Sequence, residues 1–507
     1  MKKVWKYVII TLLMLLGLFC VGVLYLFFVP NSSLFGITYI NNNKKLPSKK
    51  YEKDAISGIV LNSRAYDINI LTSPDSTIYA EAKSQSFGFV LKENKNFNIT
   101  SSVKNNVLTI NIIEPYGFAT PNASLINLYL PKNKAFDLTL NNKKAQTTVS
   151  SNDVKINNLS YSTEKGDFFF KQGCVEGEMN LNINKGDFTI YENVKLNSNP
   201  LKLKTTKGDF SAEYHTLGDV TILSNSTGNI SIKQCARFEH VLYSAGGKIT
   251  LNKVSFIEFV SSNTNLEVGE ILNGADINIT DTGYVNINKL TEGNSFIATN
   301  SGNININTLE SGITLKSNSG NISVHSAKKH IILSINSGNA FINFNESAES
   351  YKDDSSKTAR KLSAIVHNGS LTAYGVENVG VVAESDEGIQ ITGNGKVNIY
   401  MKNVYGHNEI RANNGSVNTV VEHDSVYVLK TQSNFGSVLV NLTQTHESGG
   451  YKDKTLRTTH VNCKHILCAN ANCDDANCSE DNCLHATDLL LVTSNYGNLK
   501  VVDTNFD

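Results

Sequence analysis

The sequence lacks several features that would each have pointed to a function class. It has no net charge: 46 Lys and Arg stand against 46 Asp and Glu. A general nucleic-acid binder needs a basic face to neutralise phosphates, so that class is excluded. A 3.6-residue apolar period is nowhere sustained in the body of the chain, which excludes a helical repeat. Proline and tryptophan are scarce, with seven and one among 507 residues. The Leu-rich consensus of horseshoe repeats is missing, and so is the Gly-Gly-x-Gly-x-Asp motif of calcium-binding solenoids. The regular segments are filled instead by Ile, Val, Leu, Thr, Phe and Tyr, which favours strands.

One long apolar run is present, VIITLLMLLGLFCVGVLYLFFV, from Val8 to Val29. At ~1.5 Å per residue it would span ~33 Å as a helix, enough to cross a bilayer core. It is longer than a typical signal-peptide core and ends in Phe-Phe-Val-Pro rather than small residues, so it is expected to stay uncleaved. Cys20 follows Phe19, where a lipoprotein site expects a small residue. Lys2, Lys3 and Lys6 precede the run. The positive-inside rule then places residues 1–7 in the cytoplasm, 8–29 in the membrane and the rest of the chain outside the cytoplasm.

A single glycine sets the period of the long C-terminal portion. Gly166, Gly186, Gly208, Gly228, Gly247, Gly283, Gly302, Gly320 and Gly338 fall 18 to 22 residues apart, with one gap of 36. Asn265 stands near the middle of that gap and is the expected substitute, since Asn readily takes positive φ. The pattern continues at Gly369, Gly388 or Gly395, Gly415, Gly436 and Gly497. Apolar residues recur two and four positions after each glycine, as in Phe168 and Phe170, Phe188 and Ile190, or Ile304 and Ile306. This reads as strand, glycine corner, strand, with one face buried. A repeat of ~19 residues suits one coil of a β-solenoid, and a coil cannot bury its apolar face without neighbours. The expected fold is all-β, a single-stack β-solenoid of 18–22-residue coils behind one transmembrane helix. About 14–17 coils at ~4.8 Å each would make a rod on the order of 70 Å long.

The expected organisation is a polar linker over 30–55, an N-terminal capping part over 56–150 and the solenoid over 151–445. A Cys-rich insertion covers 446–487 and a terminal coil 488–507. The capping part alternates (Ile68 and Ile70; Leu108, Ile110 and Ile112) but keeps the glycine period only weakly. The charged stretch Asn345 to Lys361 carries no pattern and reads as a loop thrown out from a corner.

Three segments carry a resemblance: AYDINILTSPDSTIYAEA, NVLTINII and INLYLPKNKAFDLTLNNKKAQTTV, followed by repeated strand-Gly-Asp/Asn-strand units. Together they resemble the bacterial "putative adhesin" domain, a toast-rack-like β-solenoid, over roughly residues 56–507. The resemblance implies a surface or envelope protein and brings no catalytic residues with it. The chain departs from short members in its greater number of coils and its Cys-rich insertion.

Two sets of residues invite a chemical reading. Cys463, Cys468, Cys473, Cys478 and Cys483 follow one another at intervals of five, with Asp474, Asp475, Glu480 and Asp481 between them and His460, His465 and His485 close by. Three readings stay open. The cysteines and His465 would hold Zn or Cu(I), although structural zinc sites prefer Cys-x2-Cys pairs. They would form local disulfides, which an extracytoplasmic setting permits. Or each Cys is a small inward residue of a pentapeptide-like stack. Cys174 and Cys235 stand apart and are expected to be buried.

The second set is Asp167, Asp187 and Asp209, each directly after a corner glycine. Stacked carboxylates ~5 Å apart would suit calcium or a glycosidase pair. The same position becomes Asn229, Asn303, Asn321 and Asn339 in later coils, with Lys248 as an exception, which favours a turn role. The Lys-Gly-Asp triplets at these corners resemble integrin-binding tripeptides, but a tight corner does not protrude as such motifs must.

The expected function is a non-catalytic, membrane-anchored β-solenoid of adhesin type, requiring no cofactor and binding a glycan, the cell wall or a surface protein through its polar faces. The alternatives are a self-assembling or stress-sensing envelope scaffold and, behind it, a polysaccharide-active enzyme. The acidic tail after Val502 is read as the free end of the stack and favours an independent protein over an assembling one.

Overall fold

The computed structural model describes residues 2–29, 34, 37–91, 97–113, 120–121, 125–196, 200–224, 227–242, 246–344, 362–377, 390–393, 397–403, 407–412, 416–422, 427–433, 438–442, 445–448, 456–461, 489–494 and 499–504. The helix Lys2–Phe28 is followed almost entirely by strands, which form a β-solenoid of about 11 turns. Contacts divide the chain into two compact units, Met1–Ile232 and Lys233–Asp507. Trp5–Phe28 is long and apolar enough to cross a membrane. Near its C-terminal end Phe27 stacks on Tyr39, with ring centroids 4.2 Å apart.

Alternation decides which side chains face inward. The apolar pairs after the glycines are buried throughout, from Phe168 and Phe170 through Ile249 and Leu251 to Ile322 and Val324. Successive coils repeat the same register, so like residues stack. In the first unit Phe168 pairs with Phe188 and Phe188 with Phe210 across parallel strands. Their buried rings lie 4.6 and 5.8 Å apart, and Tyr161 meets Phe168 edge-on at 4.7 Å. Such rings bury large apolar areas and gain from offset and edge contacts.

The glycines form a column of their own. A Cβ on Gly186 would land on the Gly166 carbonyl, one on Gly208 on the Gly186 carbonyl, and one on Gly302 on the Gly283 carbonyl. At these three glycines the coils approach too closely for a side chain. In the 36-residue gap it is Thr264, not Asn265, that takes the glycine slot. Lys248 pairs with Asn265 and Leu266 with Val285, which sets Thr264 against Gly247 and Gly283. Thr264 is buried, and its hydroxyl is hydrogen-bonded to that of Ser261 at 2.7 Å.

At both ends the order of the coils departs from their order in the sequence. In the first unit Gly58–Ser63 lies between Val107–Ile113 and Ala135–Lys144, all parallel. Asp67–Thr72 likewise lies between Leu125–Leu130 and Thr147–Lys165. The coil 107–130 is thus outside the coil 58–72, which precedes it in sequence. Antiparallel strands cover it: Asn98–Lys104 on Val107–Ile113, and Thr77–Leu91 on Leu125–Leu130. Part of the polar stretch expected as a linker is also strand, with Ile37–Pro47 paired antiparallel to Thr77–Leu91.

The second unit ends in a similar exchange. Leu489–Ser494 sits between His407–Ala412 and Tyr427–Ser433, and Leu499–Thr504 between Val417–Glu422 and Val438–Asn441. The last coil in sequence is therefore an inner one, and the acidic tail does not follow the outermost coil. Leu456–Val461 runs antiparallel along Tyr427–Ser433 and carries Thr445–Ser448 on its other side. About 11 turns form, fewer than the 14–17 that the glycine spacing suggests.

Candidate functional site

Asp167, Asp187 and Asp209 occupy the position after the corner glycine and are hydrogen-bonded into the stack. The Asp187 N–H donates to Asp167 Oδ1 at 2.9 Å, the Asp209 N–H to Asp187 Oδ1 at 2.9 Å, and the Asn229 N–H to Asp209 Oδ1 at 2.8 Å. In the second unit the Asn321 N–H donates to Asn303 Oδ1 and the Asn339 N–H to Asn321 Oδ1, both at 2.9 Å. Asp and Asn interchange here because each offers the same Oδ1 acceptor. Among the described residues, no group of three or more His, Cys, Asp or Glu side chains could hold a metal ion. Cys463, Cys468, Cys473, Cys478, Cys483 and His465 lie outside the described residues, as does the stretch 345–361. Cys235 is buried, whereas Cys174 is half-buried, and burial pushes its thiol pKa up.

A shallow concave surface of varied chemistry is on the second unit. It lies on the outer face of the stack Ala275–Ile279, Ser295–Thr299, Ile313–Ser319, Ile331–Ser337 and Leu362–Asn368. One hollow of about 430 Å³ is lined by residues including Phe256, Asp276, Phe296, Thr314 and His330. A Cβ on Gly312 would strike the His330 ring, so that glycine makes room for the imidazole. A second hollow of about 490 Å³ has Asn300, Lys316, Asn318, Ser334, Asn336 and His367 in its lining.

Lys316 joins the two hollows: it lines the second, and its Nζ lies 5.4 Å from the centre of the Phe296 ring, which lines the first. On the first side Arg237 lies over Phe256 and pairs with Glu258 at 2.6 Å. On the second side amides form a ladder. Asn318 Nδ2 donates to Asn300 Oδ1 and Asn336 Nδ2 to Asn318 Oδ1, each at 2.9 Å. Each bonded amide in such a row still has a further donor hydrogen and acceptor lone pair for a ligand. A carboxylate enters the lining only at Asp276, whereas glycoside hydrolysis by two carboxyls needs a facing pair.

None of these groove residues stands out in the sequence. The glycine period marks the corners; Phe256, Phe296 and Lys316 lie on the outward phase of strands, where any residue satisfies the alternation, and His330 directly precedes the strand Ile331–Ser337. The one available signal is an aromatic at a position whose neighbours in the repeat are polar, as Phe296 is between Asp276 and Thr314.

No curated protein matches this chain. Two solved structures overlap most of its length. A "putative cell adhesion protein" from Clostridium sporogenes ATCC 15579 is 8% identical, covering 91% of this chain and 100% of its own, with a TM-score of 0.15. A "putative adhesin" from Bacteroides fragilis NCTC 9343 is 10% identical, covering 92% and 99%, with a TM-score of 0.14. The family model described as Toastrack DUF4097 matches twice, over residues 56–234 and 178–359. These two matches together take in more than half of the sequence and the glycine-cornered coils on which it is built, and the chain belongs to the Toastrack DUF4097 family.

Proposed function

We propose that this chain is a non-catalytic, membrane-anchored surface protein of adhesin type, which binds a glycan, the cell wall or a surface protein through its polar outer faces. The observation that carries this reading is the concave face of the second unit, where an amide ladder, a lysine and two phenylalanines line adjoining hollows. Concave sites with a few convergent polar groups among apolar walls are where ligands bind. The helix Lys2–Phe28, with lysines before its apolar core, supplies the anchor and sets the N-terminus in the cytoplasm.

The self-assembling scaffold is the less favoured reading. In the first unit both strands of the outermost coil are edged by antiparallel strands, and in the second unit Tyr427–Ser433 is, rather than left as an open parallel ladder, and covered edges discourage end-to-end stacking.

The full-length chain in lipid nanodiscs, passed over a glycan array and purified cell walls, is expected to be retained on at least one surface that empty nanodiscs do not bind. Retention on none of them, with filaments visible by electron microscopy, would replace the adhesin reading with the scaffold.

A further inference from the structure

The second unit presents another binding face, on its other stack of strands. Ile304–Leu309, Ile322–Ala327, Ala340–Phe344, Leu371–Glu377 and Val397–Asn403 are consecutive parallel neighbours. Their inward residues, such as Val324, Ile342, Ala373 and Ile399, are buried. Their outward residues form two rows. In one row Asn305, Ser323, Phe341, Thr372 and Asn398 follow in register. In the other, Asn343 is paired with Tyr374, and the Tyr374 ring lies against that of Tyr400 on the next strand.

Strand pairing does not require the rings. Phe341 stands between Ser323 and Thr372, and a hydroxyl or amide there would continue the row. Phe341 and Tyr374 nevertheless remain 36% and 37% exposed. Their arrangement is also uneven. Tyr374 and Tyr400 stack nearly parallel, with centroids 4.3 Å apart and planes 13° apart, so they cover each other's faces, and their hydroxyls are hydrogen-bonded to one another. Phe341 is tilted by 54° to Tyr374 and by 47° to His325, at 5.9 and 6.0 Å, so neither ring lies flat on it.

We infer that this face binds a neutral saccharide chain, with one sugar ring packed on Phe341 and its neighbours hydrogen-bonded to the Tyr374 and Tyr400 hydroxyls and the adjoining amides. The inference rests on the surface-binding reading above and gives it a second site and a ligand class. The chemistry selects the occupant. A sugar has an apolar C–H face that packs on an aromatic ring and a rim of hydroxyls that both donate and accept. Side-chain amides and Tyr hydroxyls answer that rim, since they too do both. The two rows carry no carboxylate, ammonium or guanidinium group, and the His325 imidazole beside them is hydrogen-bonded with Asn305 Oδ1 at 3.0 Å, so they suit a neutral chain better than an anionic polymer. Amides and hydroxyls interrupt the apolar surface that a lipid or an amphipathic helix would need. The strand spacing of ~4.8 Å is close to the rise of one sugar in an extended chain.

The test is calorimetric titration of the full-length chain in nanodiscs with cellohexaose, mannohexaose and chitohexaose, beside the wall-retention assay. At least one hexasaccharide is expected to bind. Phe341→Ala should weaken it roughly tenfold or more, while Phe341→Tyr, which keeps the ring, stays within about threefold. Lys132→Ala, at an exposed position of the first unit outside both faces, should leave it within about twofold. Tyr374→Phe removes only a hydroxyl, keeps the stack and should still weaken binding, which separates recognition from misfolding. Wall retention without binding of any hexasaccharide would overturn this inference and leave the surface-binding reading intact. Equal binding by wild type, Phe341→Ala and Tyr374→Phe would also overturn it. Failure of both assays would remove both readings.

Discussion

Gly302 and Asn321 show how single residues hold successive coils together. At Gly302 the carbonyl of Gly283 stands where a side chain would begin, so the corner is closed to every other residue unless the coils part. One position later the requirement is for an acceptor. Asn321 Oδ1 takes the Asn339 N–H at 2.9 Å, as Asp187 Oδ1 takes that of Asp209. Asn321→Asp is therefore expected to leave stability within about 0.5 kcal/mol, whereas Asn321→Ala should cost about 0.5–1.5 kcal/mol. Chemical denaturation of the two variants checks this. Equal losses would show that the acceptor is irrelevant. This much is legible in the sequence, because a position that alternates between Asp and Asn after a glycine advertises a shared oxygen. That Thr264 replaces a glycine was not legible. A buried Thr bonded to Ser261 answers the same close approach by a different local geometry, and Asn265 beside it has the more turn-like identity.

Between strands, charge adds a second ladder. Lys253 pairs with Glu270 at 2.7 Å, Lys289 reaches Glu270 and Glu310 at 3.8 and 3.5 Å, and Lys328 pairs with Glu310 at 2.8 Å. The hydrogen bonds from Lys253 to Glu270 and from Lys328 to Glu310 are the first cause holding both carboxyls below their usual 4.5. A carboxyl lowered on folding contributes stability above its unfolded pKa and loses it as pH falls through the folded value. Stability from this source should thus hold from neutral pH down to about 4.5 and decline below it. Glu310→Gln should lower stability at neutral pH by on the order of 0.5 kcal/mol and lose that effect near pH 3. Urea titrations at both pH values read the difference, and a penalty that persists in acid would contradict the ladder. The alternation that specifies each strand also fixes its inward face, so strands and core could be read from the sequence. The order of the coils could not. Nothing local in Gly58–Ser63 or Leu499–Thr504 records that each lies between two other coils. Parallel partners are chosen by stacking and by which edges must be covered, and these are long-range properties.

The whole molecule joins an N-terminal helix able to cross a membrane to two β units, and the proposed recognition chemistry lies on outer faces of the second. The exchanged coils hold residues near each end of the β region between two partners, which ties down segments that otherwise fray. In sequence, the Cys-rich stretch lies between the antiparallel strand Leu456–Val461 and the inserted strand Leu489–Ser494, both of which pair with Tyr427–Ser433. The groove was not legible because outward positions of a strand tolerate almost any residue, so Phe296 and Lys316 become a site only when register sets them beside each other. The most direct test of the groove as a binding site compares the wild-type chain with a Lys316→Ala, Asn318→Ala double variant in nanodiscs, titrated with the wall or glycan fraction that retains the wild type. Roughly tenfold weaker binding with unchanged thermal unfolding is predicted. Equal affinity in a folded double variant would contradict that role for the groove.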